Sequence, residues 1–256
     1  MKQNQTISLE DLAYGGTPDR FLTDEEIFKL VDMARMMDML EVDIVGGKRA
    51  YLINYSYKDR LLLLPSNIRC TNYRSSRAVG TKYDNDKSYA LCYNLKLLEK
   101  NLVEPEPYEY EINLKVIGGS GLVEATEMFK NLTLAKLDLK LFDTSKLKST
   151  YGMFMCSDIK EIDLSNFNAS KVKNMRYMFM GCKTNELHFD NFDTSNAKTM
   201  CGMFAYCNAS QIDVSSFNMQ NVIYTNKMFA ECNASIIAKD PILINRINKD
   251  KYQPAT

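Results

Sequence analysis

The sequence lacks several features that common catalytic and membrane functions require. It holds one histidine and no tryptophan among 256 residues, which leaves little imidazole for metal binding or acid–base chemistry. No Cys-x-x-Cys pair occurs, so the usual pattern of a zinc site is missing. No apolar run reaches the roughly 18 residues of a membrane-spanning helix. The 32 basic and 32 acidic residues cancel, so the whole chain has no strong attraction to polyanions. We therefore expect neither an enzyme nor a cofactor or metal site.

The cysteine content and the N-terminal residues indicate a compartment. Seven cysteines is an odd number in a chain of this length, which favours free thiols and a reducing environment. The segment from Met1 to Thr6 is polar and does not resemble a signal peptide. These features predict a cytoplasmic protein, with a trimmed extracellular chain as the alternative.

A repeat of 25 residues runs through the C-terminal half of the chain. The pair Met-Phe recurs at this spacing without insertion, from Met128-Phe129 to Met228-Phe229. Three further apolar columns share the register: Phe142 to Phe217, Ile112 to Ile237, and Leu114 to Val214. Each unit is too small to bury its own apolar face, so stacked copies must share one continuous core.

The spacing within one unit predicts its secondary structure. Leu134, Leu137, Leu139 and Phe142 follow the order L-x-x-L-x-L-x-x-F, whose central alternation is typical of a half-buried strand. Downstream, the apolar residues of 172–179 recur at helical spacing, which predicts a short helix. A further column contains Cys182, Cys207 and Cys232, which we interpret as small buried residues rather than a redox or metal ladder.

The repeat resembles a known family. The segment Ile162 to Cys182 reads IDLSNFNASKVKNMRYMFMGC, and it is similar to the BspA-like leucine-rich repeat unit LDLSNFDTSNVTNMSGMFSGC. The similarity covers about residues 112–239. It implies a right-handed repeat solenoid that recognises proteins, and many relatives are bacterial surface proteins or adhesins.

The sequence therefore predicts an α/β fold of three parts. Residues 1–110 form a small α+β N-terminal domain, and residues 111–239 form a leucine-rich-repeat-type solenoid of about five to six strand-turn-helix units. Residues 240–256 form a C-terminal cap. In the N-terminal part, a capping box at Thr23–Glu26 starts a helix to about Leu40. A hairpin at 42–53, a strand at 61–64 and a helix at 89–102 follow.

The outward residues of the repeat strands are the first candidate binding surface. Side chains on this face alternate with buried ones, and an exposed polar sheet is where repeat solenoids usually bind. In one column His188 lies between aspartates, a combination that general bases and metal sites also use. We favour the interpretation that these residues form a solvated surface. The candidate partner-binding residues are Asp138, Lys140, Glu161, Asp163, Glu186, His188 and Asp213.

A basic segment outside the repeat is the second candidate. Between Lys48 and Tyr83, eight basic residues oppose a single acidic one, which leaves a charge of +7 interleaved with tyrosines. Such a composition suits nucleic acid, although it also suits a solvated hairpin face or an acidic protein partner. Its basic residues are Lys48, Arg49, Lys58, Arg60, Arg69, Arg74, Arg77 and Lys82.

Two classes of binding function follow from these surfaces. The first is a non-enzymatic intracellular protein-interaction module that binds a macromolecular partner through the solenoid. The alternative is a binder of nucleic acid or nucleoprotein through residues 48–83, for example a phage- or plasmid-encoded inhibitor of a host defence complex. A bacterial surface adhesin is a further alternative.

Overall fold

The protein forms one mostly parallel sheet that continues from the N-terminal region into the repeats. A computed structural model describes residues 8, 9, 12, 20–34, 39–44, 48–54, 59–64 and 112–252. The described helices are α1 (Asp24–Ala34) and α2 (Pro241–Tyr252). The strands are β1 (Met39–Ile44), β2 (Lys48–Asn54), β3 (Asp59–Leu64), β4 (Asn113–Gly118), β5 (Thr133–Phe142), β6 (Asp158–Asp163), β7 (Lys183–His188), β8 (Asn208–Asp213) and β9 (Ser235–Ile237). They lie in the sheet in chain order.

The helix α1 begins at the predicted capping box. The backbone N–H of Glu26 donates to the Thr23 hydroxyl, and the Thr23 N–H donates back to the Glu26 carboxylate over 2.8 Å. Arg20 adds a two-pronged contact, and these hydrogen bonds lower the pKa of Glu26 to about 2. The predicted extension of this helix to Leu40 was wrong, because Met39 and Leu40 already belong to β1.

The first three strands join the repeat sheet directly. Strands β1 and β2 form the predicted antiparallel hairpin, with Ile44 opposite Lys48, and β3 pairs antiparallel with β2 and parallel with β4. Leu61 and Leu63 face a core formed with α1, whereas Leu62 and Leu64 face the core of the repeats. This alternation buries β3 on both sides and explains its unbroken leucine run. The predicted helix at 89–102 lies outside the described residues.

The repeats coil into a parallel β-solenoid of about five turns. Strand β6 pairs with β5, and β8 with β7, in the 25-residue register. The register changes at both ends. Leu137 pairs with Leu114 rather than Ile112, and Ile212 pairs with Ile236 rather than Ile237. The predicted columns are therefore wrong at their first and last members. The pairing of β4 with β5 is also irregular between Lys115 and Ile117.

The predicted helix of each unit is replaced by a run of tight turns. The N–H groups of Ala125, Glu127, Phe129 and Asn131 donate over 2.8 to 3.0 Å to carbonyls of the next repeat. The N–H of Met128 closes a turn to Ala125. An α-helix would bond every one of these N–H groups to the carbonyl four residues earlier. The backbone here instead connects neighbouring repeats, and the same pattern recurs at 150–156, 175–181 and 200–206.

Left-handed residues make these turns. Each repeat has two residues with φ between 53° and 63° on either side of the Met-Phe pair. They are Glu127, Gly152, Tyr177, Gly202 and Lys227 in one column, and Asn131, Cys156, Gly181, Tyr206 and Glu231 in the other. A left-handed residue interrupts the helical path, so alternate N–H groups point along the solenoid axis. Three of these ten positions are glycines, so the other seven hold side chains.

Stacked phenylalanines fill the solenoid. The rings of the Met-Phe column, from Phe129 to Phe229, stack with centroids 4.9 to 5.7 Å apart. A second stack joins Phe167, Phe192 and Phe217. Such offset aromatic pairs contribute about 0.5–1.5 kcal/mol each beyond burial of their area. The regular 25-residue spacing of the phenylalanines thus builds a continuous aromatic core.

The helix α2 satisfies groups at the C-terminal end of the coil. In inner repeats the phenylalanine N–H donates to the next repeat, as Phe204 does to Met228. For Phe229 the Asp250 carboxylate takes that place, with an N···O distance of 3.0 Å. Lys251 also donates to the Ala234 carbonyl. The helix thus supplies acceptors and donors that a further repeat would have provided.

Candidate functional site

The outward face of strands β5–β8 is defined here as the strand side. The N-terminal core covers the first part of this face, since Ile117 and Leu141 are buried in that core. Lys115 donates there to the Leu12 carbonyl and lies 3.7 Å from Asp138. Asp138 is therefore mostly shielded, with 17% of its side chain exposed. The accessible part of the predicted site begins at Lys140 and Glu161.

The aspartates of the predicted site have a local structural role. The carboxylates of Asp138, Asp163 and Asp213 each accept the backbone N–H two residues later, at 2.9 to 3.0 Å. This bond shapes the turn that follows each strand. Burial opposes ionisation of Asp163, but hydrogen bonds from Ser165 and Lys140 outweigh it and lower its pKa. Hydrogen bonds from Ser215 likewise lower the pKa of Asp213.

Charges on the strand side are paired between neighbouring repeats. The distance from nitrogen to carboxylate oxygen is 3.4 Å for Lys136–Glu161 and 3.3 Å for Lys140–Asp163. Lys183 lies 3.7 Å from Asp158. These pairs are exposed, so each contributes little to stability. They leave the face polar and close to neutral, which favours a partner with its own mixed charges over a simple polyanion.

The sheet opens between β6 and β7. The neighbouring pairs β5–β6 and β7–β8 each align five residues, whereas β6 and β7 align only Asp158 with Lys183. The Thr184 hydroxyl donates a hydrogen bond of 3.2 Å to the Lys160 carbonyl. A depression of about 260 Å³ lies over this gap, with Glu161, Asp163 and His188 in its lining. The structure thus brings together three predicted residues beside the short register of β6 and β7.

His188 lies at this opening as one half of a solvated pair. Its Nε2 is 2.9 Å from the Glu186 carboxylate, and both side chains are about half exposed. The pair presents hydrogen-bonding groups to a partner. Within the part of the chain that the structure describes, no group of three or more His, Cys, Asp or Glu is arranged to hold a metal ion.

The predicted basic segment begins in strands β2 and β3. Lys48, Arg49 and Arg60 lie in strands β2 and β3. Lys58, Arg69, Arg74, Arg77 and Lys82 lie outside the described residues. A nucleic-acid surface at 48–83 therefore stays a prediction.

The cysteine column is buried, as predicted. Cys182, Cys207 and Cys232 are at most 3% exposed and are free thiols. Burial raises the pKa of Cys182 to about 12. The Cys207 thiol is hydrogen-bonded to Cys232, and this bond together with burial raises the pKa of Cys207. These thiols serve as core residues of the stack.

One charged surface was missed by the sequence reasoning. Five exposed lysines lie in the segments that come after strands β5, β6 and β7 in the chain, and the stacking of the repeats places them in two columns. We name them the lysine rows: Lys146 and Lys171 in one, and Lys148, Lys173 and Lys198 in the other. The signal was available, because the 25-residue register aligns them. The rows are not visible as a local run of charge, since no single stretch of the repeats is strongly basic.

Comparisons with known proteins give one family. Within the described residues, no helix has the length and apolar character needed to cross a membrane. Searches of curated proteins and of solved structures found no significant match. A family model described as "Mycoplasma protein of unknown function, DUF285" matches residues 123–239. The repeat-bearing part of this chain, where the coil and both of its charged surfaces lie, is therefore similar to that family of Mycoplasma proteins.

Proposed function

We propose that this chain is a non-enzymatic protein-interaction module that binds a macromolecular partner through the strand side of its solenoid. The observation that carries the proposal is the opening between β6 and β7. There, Glu161, Asp163 and His188 surround a depression where the strand ladder is interrupted. An interrupted strand ladder beside polar side chains is a feature to which an extended peptide can add as a further strand.

The regular geometry of the coil supports this role. Most outward strand positions from β6 to β8 are polar, and their backbones are fixed by neighbouring repeats. A binding surface built on such rigid elements loses little conformational entropy when a partner binds. We further propose that the repeats are of the BspA-like leucine-rich type, as the similarity of residues 162–182 implies, and that the protein acts inside the cell. The match of the Mycoplasma family model to residues 123–239 covers the same repeats and is compatible with that assignment.

The test compares two charge-reversal variants of equal net charge. Glu161 and Glu186 on the strand side are 62% and 52% exposed, so Glu161→Arg with Glu186→Arg changes the surface and leaves the core intact. The full-length protein is immobilised and incubated with lysate of the cell that produces it. Candidate partners are then purified, and their Kd values for each variant are measured by biolayer interferometry.

The matched control reverses two exposed glutamates elsewhere, with Glu124→Arg and Glu231→Arg. We expect the strand-side variant to weaken binding of the partner at least about tenfold, equivalent to about 1.4 kcal/mol. The control variant should bind as the wild type does. Equal Kd values for the strand-side variant and the wild type would contradict the proposal.

A further inference from the structure

The lysine rows form a regular array of positive charge along the solenoid. Lys148, Lys173 and Lys198 occupy one position in three consecutive repeats, and the N–H of each later lysine donates to the carbonyl of the earlier one. Neighbouring strands in a sheet are about 4.8 Å apart, so these three lysines span roughly 10 Å in a straight line. Lys146 and Lys171 form the second row beside the first, with buried Leu147 and Val172 between the rows.

In the part of the chain that the structure describes, the lysine rows make no ion pairs, unlike the lysines of the strand side. Among the described residues, none of the five makes an ion pair, whereas Lys136 and Lys140 lie 3.3 to 3.4 Å from a carboxylate. The nearby Asp143 and Asp193 accept the N–H groups of Ser145 and Ser195. Like charges at this spacing repel one another, so an anionic partner would relieve an unfavourable arrangement.

Aromatic side chains lie beside the rows. Tyr224 is 58% exposed, and its N–H donates to the carbonyl of Lys198. Tyr151 and Tyr177 form an edge-to-face pair, and the Arg176 guanidinium lies 5.5 Å from the Tyr177 ring centroid. An exposed ring such as that of Tyr224, next to a track of positive charge, provides a stacking surface for an unpaired base.

The composition of this surface favours nucleic acid over the other anionic partners. Protein interfaces are depleted in lysine and are centred on buried anchors, which the rows do not have. A membrane surface needs a contiguous apolar patch to insert. The exposed aliphatic residues of the longer row, Val123 and Ile223, lie at opposite ends with the three lysines between them. A linear polyanion with stacking bases fits both the line of charge and the tyrosines.

We propose that the lysine rows bind the phosphate backbone of single-stranded nucleic acid, with Tyr224 as a stacking surface for a base. This site is separate from the strand side, and it consists of other residues than the basic segment at 48–83. It recognises phosphate without sequence preference, because lysine is a point charge that does not read bases.

The test measures binding of fluorescein-labelled oligothymidylate, about 20 nucleotides long, by fluorescence anisotropy at increasing salt. For single strands, the slope of log K against log salt is about −0.7 for each phosphate contact, so five lysines predict a slope of about −3.5. The triple variant Lys148→Gln, Lys173→Gln, Lys198→Gln should reduce the slope to about −1.4 and weaken binding at least tenfold at about 0.1 M salt. Tyr224→Ala should weaken binding several-fold without changing the slope.

The matched control, Lys136→Gln, Lys140→Gln, Lys183→Gln, removes the same charge from the strand side. It should bind the oligonucleotide within about twofold of the wild type, since these lysines already have carboxylate partners. The proposal is overturned if both triple variants weaken binding equally, or if only Arg69→Gln, Arg74→Gln, Arg77→Gln does so. It is also overturned if the wild type binds phosphatidylserine vesicles and no oligonucleotide, or neither. None of these results bears on the strand-side variants.

Discussion

The strand side and the turn side of the coil share one 25-residue register but impose different demands on the sequence. We define the turn side as the tight turns around the Met-Phe pairs. Strand backbone is extended and accepts any outward side chain, so one column holds Asp138, Asp163, His188 and Asp213. The turn side has left-handed residues and side chains packed against the next repeat. Residues on the strand side are therefore free to vary with function, whereas residues on the turn side are constrained by the fold.

The largest effect should come from the aromatic stack of the turn side. Phe179 is fully buried and stacks on Phe154 and Phe204. Phe179→Ala should lower the free energy of unfolding by about 3–5 kcal/mol, because it loses transfer energy and leaves a cavity. The control Ile159→Val, at a buried position of strand β6, should lose only about 0.5–1.5 kcal/mol. Urea unfolding monitored by circular dichroism measures both, and a smaller loss for Phe179→Ala than for Ile159→Val would contradict the comparison.

The next effect should come from a glycine that receives the ring of the preceding repeat. Gly202 has φ +59°, and an added Cβ would lie 2.5 Å from the Tyr177 ring. Gly202→Ala should destabilise the protein by about 2–4 kcal/mol, through backbone strain and overpacking together.

Gly181 is the matched control for this substitution. Its φ is +63°, but its nearest contact would be the Cys156 sulfur at 3.4 Å, so Gly181→Ala should cost only about 1–2 kcal/mol of strain. In the double variant Tyr177→Ala with Gly202→Ala, the part of the stability loss that comes from overpacking should be absent, because the ring that the added Cβ would meet is gone. Equal losses for the two glycine variants in thermal unfolding would show that the ring contact is unimportant.

A smaller effect is expected where the turn side ends. Asp250 is 7% exposed and accepts the Phe229 N–H. Asp250→Ala should lower stability by about 1–3 kcal/mol, because that N–H and the Arg246 guanidinium lose their acceptor. Lys249→Ala, on the exposed face of the same helix, should stay within about 0.5 kcal/mol of the wild type. Hydrogen exchange of the Phe229 amide reports the contact directly, and unchanged exchange in Asp250→Ala would refute the capping role.

The smallest effect is expected on the strand side. Asp163→Asn removes one exposed ion pair and should change stability by less than about 1 kcal/mol at pH 7. The folded-state pKa of Asp163 is lowered from its ordinary value of 3.8, so its charge stabilises the fold above that pH. This contribution is lost as the pH falls through the lowered value. Urea unfolding of both proteins from pH 7 to pH 2 should show the difference disappear at acid pH, and a constant difference would argue against it.

Part of the fold was predictable because burial alone determines it. The Met-Phe column, the cysteine column and the alternating leucines of the strands mark the core whichever elements carry them. The capping box at Thr23 and the hairpin of β1 and β2 follow from local hydrogen bonds and turn residues. The shorter helix α1 and the changed register at Ile112 and Ile237 were not predictable, because pairing with neighbouring strands set both.

The candidate surfaces were predictable to different degrees. The strand side follows from period-two alternation, so its residues were named correctly as outward positions. The opening at β6–β7 and the shielding of Asp138 depend on contacts between segments far apart in the chain. The lysine rows needed knowledge of which lysines have carboxylates nearby, and only the coil supplies that.

The sequence by itself determined the register of the inner repeats, the buried columns and the outward polar positions. Only the tertiary structure decided that residues 172–181 form turns rather than a helix. Both arrangements bury the same residues, such as Met175 and Phe179, so hydrophobic spacing does not separate them. The difference lies in the backbone partner. Here the Phe179 N–H donates to Met203 in the next repeat, 24 residues ahead, rather than to a carbonyl within its own segment. That choice exists only once the repeats have stacked.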